Sequence, residues 1–150
     1  MTVWEDYAGR ITDEFHAQTC ALLIVDVQRS FCSSTGTTGR RHANEQMQAL
    51  PAKINRFVTG FVERGGLPIY IKSVPDDENS SPTVKWLDAL KGHTRPAGSD
   101  DPALDLYGLD LCAEALVVEK KIDGFAETNL KDILDRNGIR TVLICGVRTE

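Results

Sequence analysis

The sequence predicts an α/β protein with three layers, in which helices cover both faces of a mostly parallel, Rossmann-like sheet. Four apolar, strand-like segments alternate with segments of helical periodicity along the chain. This order is typical of strands joined by crossover helices. The strands are apolar almost throughout rather than at every second residue, which indicates burial on both faces and therefore parallel pairing.

The predicted strands are short apolar runs, and each is bounded by polar or glycine-containing segments. They cover residues 21–27, 67–73, 115–120 and 141–146. The first run is interrupted only by Asp26. Pro68 stands at the start of the second, where the missing N–H is tolerated.

The helices are predicted from the spacing of apolar residues and from the signals that start and stop a helix. Pro51 suits the first turn of a helix, and Gly65 with its glycine neighbour ends that helix. A short helix is predicted at 84–90. Thr128 caps a further helix, and Gly138 after an asparagine supplies its left-handed stop.

Length, charge and cysteine pattern narrow the class of protein. The 150 residues point to one domain over 1–150, with an N-terminal tail over 1–19, and the net charge of −5 argues against a nucleic-acid partner. No apolar run approaches the roughly 18–20 residues of a membrane span, and the acidic N-terminus does not resemble a signal peptide. A cytoplasmic protein without a membrane partner is therefore expected. The four cysteines show no zinc-site spacing, so neither a metal nor a cofactor is predicted.

Charged residues and a glycine turn follow several of the predicted strands. Asp26 ends the first strand, Lys120 and Lys121 end the third, and Gly146 ends the fourth. Ligands bind at the carboxyl ends of the strands in such sheets, so an acid, a cation and a turn are expected on one rim. From the residues alone, Asp26 is either a catalytic acid or a solvated carboxylate, and the two lysines are solvated charges.

Three segments resemble, in order, the motifs of the isochorismatase-like cysteine hydrolases, a family that includes nicotinamidases, ureidoacrylate hydrolases and carbamoylsarcosine amidases. Residues 22–32 (LLIVDVQRSFC) resemble its first strand, and residues 117–125 (VVEKKIDGF) resemble its second motif. Residues 145–150 (CGVRTE) are similar to the start of its third motif, Gly-Val-x-Thr-x-x-Cys. The match extends over about residues 20–150 and implies the fold of that family, incomplete at its C-terminus.

The resemblance implies a Cys-Lys-Asp triad. Asp26 corresponds to the general base that takes the thiol proton, and the thiolate then attacks a carbonyl to give an acyl-enzyme. The lysine is Lys120 or Lys121, because this chain has one residue fewer than the family between the lysine and Phe125. Lys120 is favoured, since it directly follows Val-Val-x.

The resemblance also implies an oxyanion hole, a substrate class and an assembly. Backbone N–H groups of the glycine turn would form the oxyanion hole, and the turn comprises Gly146, Val147, Arg148 and Thr149. Phe31 and Phe125 are candidates for the substrate pocket. The expected partner is a small molecule with an amide, ureide or enol-ether bond, and relatives are commonly homo-oligomers. The Asp-x-His pair of the metal-dependent nicotinamidases is absent, which argues against a metal.

The expected nucleophile lies beyond the chain as given, because the family motif puts its cysteine three residues after Thr149 and the sequence ends at Glu150. Three interpretations stay open: a fragment of a longer protein, half of a two-chain enzyme, or a short protein that binds a ligand or partner without catalysis. A redox thiol protein that uses Cys32 or Cys145 is a further alternative.

Overall fold

A computed structural model describes residues 15–36, 45–74, 82–91, 102–121 and 123–147. Its strands are β1 (Cys20–Val25), β2 (Leu67–Ser73), β3 (Leu116–Lys120) and β4 (Thr141–Gly146). They form one sheet in the order β3-β2-β1-β4, and every pairing is parallel. The predicted parallel α/β architecture is therefore confirmed.

The described helices are α1 (Arg29–Cys32), α2 (Glu45–Val62), α3 (Pro82–Lys91) and α4 (Leu130–Arg136), with single 3-10 turns at Ala17–Thr19 and Pro102–Leu104. None of the helices within these ranges is long and apolar enough to cross a membrane. At the start of α4 the N-cap residue is Asn129, which makes no side-chain cap bond, so the prediction that Thr128 is the cap is wrong by one residue. Thr128 Oγ1 still accepts the Leu130 N–H at 3.2 Å.

The helices α2 and α4 cover opposite faces of the sheet, because successive side chains of a strand point to opposite sides. Leu22 of β1 belongs to the core cluster that contains Ile54 of α2. Its neighbour Leu23 belongs to the other cluster, with Leu130 of α4. This arrangement gives the three predicted layers and leaves the carboxyl ends of the strands on one common edge.

Glycine follows the ends of the helices α2 and α4, as predicted. At the end of α4 the Gly138 N–H donates to the Asp135 carbonyl at 3.1 Å, and the Ile139 N–H donates to the Leu134 carbonyl at 3.0 Å. These two bonds form a Schellman motif, which requires a left-handed residue, and Gly138 has φ 61°. Gly65 has φ 84° after α2.

The prediction that Pro51 opens a helix is wrong, because α2 begins at Glu45 and Pro51 lies inside it. Proline cannot donate the backbone hydrogen bond that an ordinary residue makes at this position. Burial of Pro51 offsets part of that loss. The Pro51 ring lies close to Gly108, since a Cβ built on Gly108 would lie 3.0 Å from the Pro51 Cβ. Apolar packing against the segment around residue 108 therefore outweighs the local preference.

The first strand is shorter than predicted, ending at Val25 rather than at residue 27. Asp26 has φ 57°, which takes the chain out of the extended conformation. Val27 is nevertheless fully buried, in the core on the α2 side of the sheet. The apolar run of the sequence extends beyond the last residue of β1 because Val27, beyond the strand, is still part of the buried core.

The strand β4 has an open apolar face. Ile144 pairs in register with Leu23 and therefore projects on the same side of the sheet as α4. Its side chain is 72% exposed, and Val142 on the same face is 38% exposed. The described helices thus cover β1 far better than they cover its neighbour β4.

Candidate active site

The candidate site lies at the carboxyl end of the sheet, at the boundary between β1 and β4. The chain leads from β1 to β2 on one side, while β4 pairs with β1 on the other side, which makes the β1–β4 boundary a topological switch point. Open parallel sheets bind ligands in the crevice outside the carboxyl ends of the strands at such a point. Asp26 directly follows β1 there, and Gly146 ends β4.

The backbone of Asp26 is held in an uncommon conformation. Its φ is 57°, its N–H donates to the Ile71 carbonyl at 2.9 Å, and its carbonyl accepts the Gln28 N–H at 2.8 Å. Aspartate tolerates the left-handed region better than most residues, yet it still costs free energy there. Such strained residues cluster at functional sites. The turn sends the carboxylate along the rim toward the ends of β2 and β3.

One side chain from each of three strand ends meets at this rim. Lys120 Nζ lies 3.1 Å from Asp26 Oδ2 and 2.8 Å from Ser73 Oγ. Ser73 Oγ lies 2.9 Å from Asp26 Oδ1. The ion pair is mostly shielded from water, since the side chains of Lys120 and Asp26 are 11% and 18% exposed.

Lys121 has different surroundings from Lys120, because successive side chains along an extended chain point in opposite directions. Its Nζ lies 3.0 Å from a carboxylate oxygen of Glu127, and the two side chains are 51% and 75% exposed. Water screens such a surface pair strongly. The direct ion pair to Asp26 therefore comes from Lys120, the residue favoured from the sequence.

The glycine turn after β4 begins beside Asp26. Gly146 has φ 143°, and a Cβ built on it would lie 2.0 Å from the Val25 carbonyl oxygen, so only glycine fits. The Val147 N–H donates to that same oxygen at 3.0 Å, so this amide is already hydrogen-bonded to the end of β1. Arg148 and Thr149 lie outside the described residues. The bond to Val25 makes the Val147 amide unavailable as an oxyanion donor in this arrangement.

The comparisons with known proteins agree with this architecture. A family model, the isochorismatase domain, matches residues 20–150. The chain belongs to the isochorismatase family. No curated protein matches its sequence.

Solved structures similar to this isochorismatase-family chain include three hydrolases. A cysteine hydrolase from Pseudomonas syringae pv. phaseolicola 1448A has a TM-score of 0.73 at 19% identity, with 90% of this chain and 62% of that chain covered. A pyrazinamidase of Pyrococcus horikoshii in complex with zinc has a TM-score of 0.66 at 26% identity, covering 87% and 72%. An N-carbamoylsarcosine amidase from Thermoplasma acidophilum has a TM-score of 0.65 at 25% identity, covering 85% and 67%. The chain therefore spans less than two thirds of the Pseudomonas hydrolase.

The two phenylalanines predicted for the substrate pocket of this isochorismatase-family protein differ in burial. Phe31 of α1 is half-buried and packs against the core on the α2 side of the sheet. Phe125 is 53% exposed in the turn after β3, where its N–H donates to Asp123 Oδ1 at 2.8 Å. A role of either ring in the pocket stays a prediction.

Burial makes two thiols poor nucleophiles. It raises the pKa of the Cys32 thiol from its ordinary 9.0 to about 11, and it also raises the pKa of Cys145. The thiolate is the reactive form of cysteine, so both side chains are largely unreactive near neutral pH. This argues against the redox alternative for these two positions. Among the residues with described coordinates, no group of three or more His, Cys, Asp or Glu could hold a metal ion.

Gln28 is a site residue that the sequence analysis missed. It is fully buried two residues after Asp26, and its Nε2 donates to the Ser73 carbonyl at 3.0 Å and to the Leu104 carbonyl at 2.7 Å. Its Oε1 accepts the Ser73 N–H at 2.9 Å. The carboxamide therefore fixes the end of β2 against the Pro102–Leu104 turn. A glutamine two residues after a strand-end acid, at the end of an apolar run, was the available signal.

We expect Gln28→Glu to lower the free energy of unfolding by about 3 kcal/mol, because a buried carboxylate loses both donors to the Ser73 and Leu104 carbonyls. Urea titration of the purified variant, followed by circular dichroism, measures the loss. Gln48→Glu on the exposed side of α2 is the matched control and should shift stability by no more than about 0.5 kcal/mol. Equal effects of the two substitutions would show that the Gln28 contacts contribute little.

Proposed function

We propose that the protein is a cysteine hydrolase that cleaves an amide, ureide or enol-ether bond of a small metabolite. The observation that carries the proposal is the shielded Asp26–Lys120 ion pair at the carboxyl end of the sheet. It stands next to the Gly146 turn, which leads into the family's nucleophile motif. Two of the similar structures are named as amidases, which supports the same bond class.

In this proposal each side chain has one role. The nucleophile is a cysteine three residues after Thr149 in the complete gene product. Asp26 takes the thiol proton, and the Lys120 ammonium stabilises the thiolate. For an amide or ureide, the thiolate adds to the carbonyl carbon, the C–N bond breaks, and Asp26 returns the proton to the departing nitrogen. Water then hydrolyses the acyl-enzyme.

The proposal treats residues 20–150 as most of one catalytic domain, with the rest of that domain following Glu150. It requires neither a metal nor a cofactor, because the triad supplies both the nucleophile and the proton transfers. Homo-oligomerisation is carried over from the family resemblance alone. Turnover by the complete gene product of nicotinamide, N-carbamoylsarcosine, ureidoacrylate or isochorismate tests the activity. Absence of both turnover and a fast-reacting thiol would favour a non-catalytic binding protein.

Alkylation identifies the nucleophile independently of the substrate. With iodoacetamide at about pH 6 we expect one fast-reacting cysteine in the complete gene product, distinct from Cys32 and Cys145. Since their thiol pKa values are raised, these two should stay unlabelled there, and Cys32 should gain reactivity only as the pH rises toward about 11. Mass spectrometry of the digested protein locates the label. First labelling at Cys32 or Cys145 would instead support the redox alternative.

A further inference from the structure

We propose that Ser73 is a positioning residue of this site, whose hydroxyl holds the Lys120 ammonium against the Asp26 carboxylate. The inference rests on the proposed function for its catalytic consequence. Its structural part, the restraint on Lys120, stands on the contacts alone.

The position of Ser73 follows from the strand order. The strand β2 lies between β3, which carries Lys120, and β1, which leads into Asp26. Neighbouring strands are about 4.8 Å apart, so the lysine has to reach across β2 to meet the carboxylate. Ser73 pairs in register with Lys120 at the last residue of β2. A short polar side chain there stands directly between the two charged groups.

The chemistry of the three groups fixes the direction of the hydrogen bonds. An ammonium only donates, and an ionised carboxylate only accepts. Ser73 Oγ therefore accepts from Lys120 at 2.8 Å and donates its proton to Asp26 Oδ1 at 2.9 Å. Removal of the hydroxyl takes one acceptor from the ammonium and one donor from the carboxylate at the same time.

The backbone of Ser73 is restrained separately from its side chain. Gln28 binds both its N–H and its carbonyl. The backbone at Ser73 is thereby held in place, and the bond of the hydroxyl to Asp26 orients it as a second partner for Lys120. Without it, the long lysine side chain recovers rotamer freedom, and the ammonium spends less time in the productive arrangement.

Three substitutions separate loss of the hydroxyl from a change of side-chain shape, with Thr and Val as the pair matched in shape. Ser73→Thr keeps the hydroxyl, Ser73→Val has nearly the same shape without it, and Ser73→Ala removes it without adding bulk. Ser33→Ala is the control, because its hydroxyl bonds Thr35 instead of the ion pair. Circular dichroism and urea titration first establish that each variant of the complete gene product is folded.

The first readout is hydrogen exchange of the Lys120 ammonium, observed by NMR in protein labelled with 15N-lysine and assigned with Lys120→Arg. We expect exchange to rise by about fivefold in the Ala and Val variants and to stay near the unsubstituted rate in the Thr and Ser33→Ala variants. The second readout is steady-state kinetics. The Ala and Val variants should lose about tenfold in kcat with KM within about twofold, and Thr should restore kcat.

The outcomes distinguish this inference from the proposed function. Unchanged ammonium exchange in the Ala and Val variants overturns it, as does faster exchange with an unchanged kcat. If Thr behaves like Val, the hydroxyl is not responsible and the inference is wrong. A complete gene product that hydrolyses no substrate contradicts the proposed function, and the exchange rates then still decide whether Ser73 restrains Lys120.

Discussion

An Asp26→Asn variant of the complete gene product is expected to lose hydrolytic turnover by about 10³-fold while it remains folded, because a carboxamide cannot accept the thiol proton. Asparagine suits this position structurally, since it adopts the left-handed backbone of φ 57° as readily as aspartate does. Its oxygen still accepts from Lys120, and its nitrogen can donate to Ser73 Oγ. Because the mostly buried Lys120 ammonium nevertheless loses its counter-charge, we expect a stability loss of about 2 kcal/mol.

The measurement for Asp26→Asn is kcat/KM together with urea unfolding, so that loss of activity is separated from loss of structure. Asp132→Asn on the exposed side of α4 is the control and should leave turnover unchanged. The rate of thiol alkylation near neutral pH should fall in parallel in the Asp26 variant alone. Retained turnover would rule out Asp26 as the general base.

Much of the fold could be predicted because it follows from local patterns. Continuous apolar runs gave the strands and their parallel pairing, and glycine gave the ends of α2 and α4. The exact end of β1 could not be predicted, since Val27 is as deeply buried as the strand itself. The start of α2 could not be predicted either, because packing of Pro51 outweighs its preference for a first turn.

The charged part of the site could be predicted for a topological reason. In a parallel sheet the acid after one strand and the cation at the end of another reach the same rim, whatever their separation in sequence. The supporting contacts could not be predicted, because they depend on which strands are neighbours. Gln28 bonds the Ser73 carbonyl 45 residues away and the Leu104 carbonyl 76 residues away. No local pattern encodes either contact.

The strand order also explains why the ion pair is shielded. Lys120 approaches Asp26 across the end of β2, so its stem lies over the rim of the sheet instead of extending into water. The ammonium meets the carboxylate of Asp26, the residue that follows Val25, and Val25 pairs in register with Gly146. A thiol carried by the following turn would meet an acid and a cation whose relative position is already set. Such preorganisation lowers the barrier without further ordering of the site.

The adjacent lysines provide the sharpest comparison of buried and exposed charge in this protein. Lys120→Met is expected to lower the free energy of unfolding by about 2–3 kcal/mol, because it leaves the mostly buried Asp26 without its counter-charge. It should also reduce turnover by at least about 10²-fold, since the thiolate loses its neighbouring cation. Methionine replaces the aliphatic stem of the lysine and omits only the ammonium group, so packing changes little.

Lys121→Met, one residue away, should change stability by no more than about 0.5 kcal/mol and leave turnover intact, because its pair with Glu127 is exposed. Urea titration and kcat/KM of the two variants, purified side by side, test the contrast. Raised salt should reduce any change in the free energy of unfolding caused by Lys121→Met. It should leave the change caused by Lys120→Met nearly the same, since water and ions screen only the exposed pair. If Lys121→Met abolished turnover and Lys120→Met did not, the catalytic cation would be Lys121, and Lys120 would have only a structural role beside Asp26.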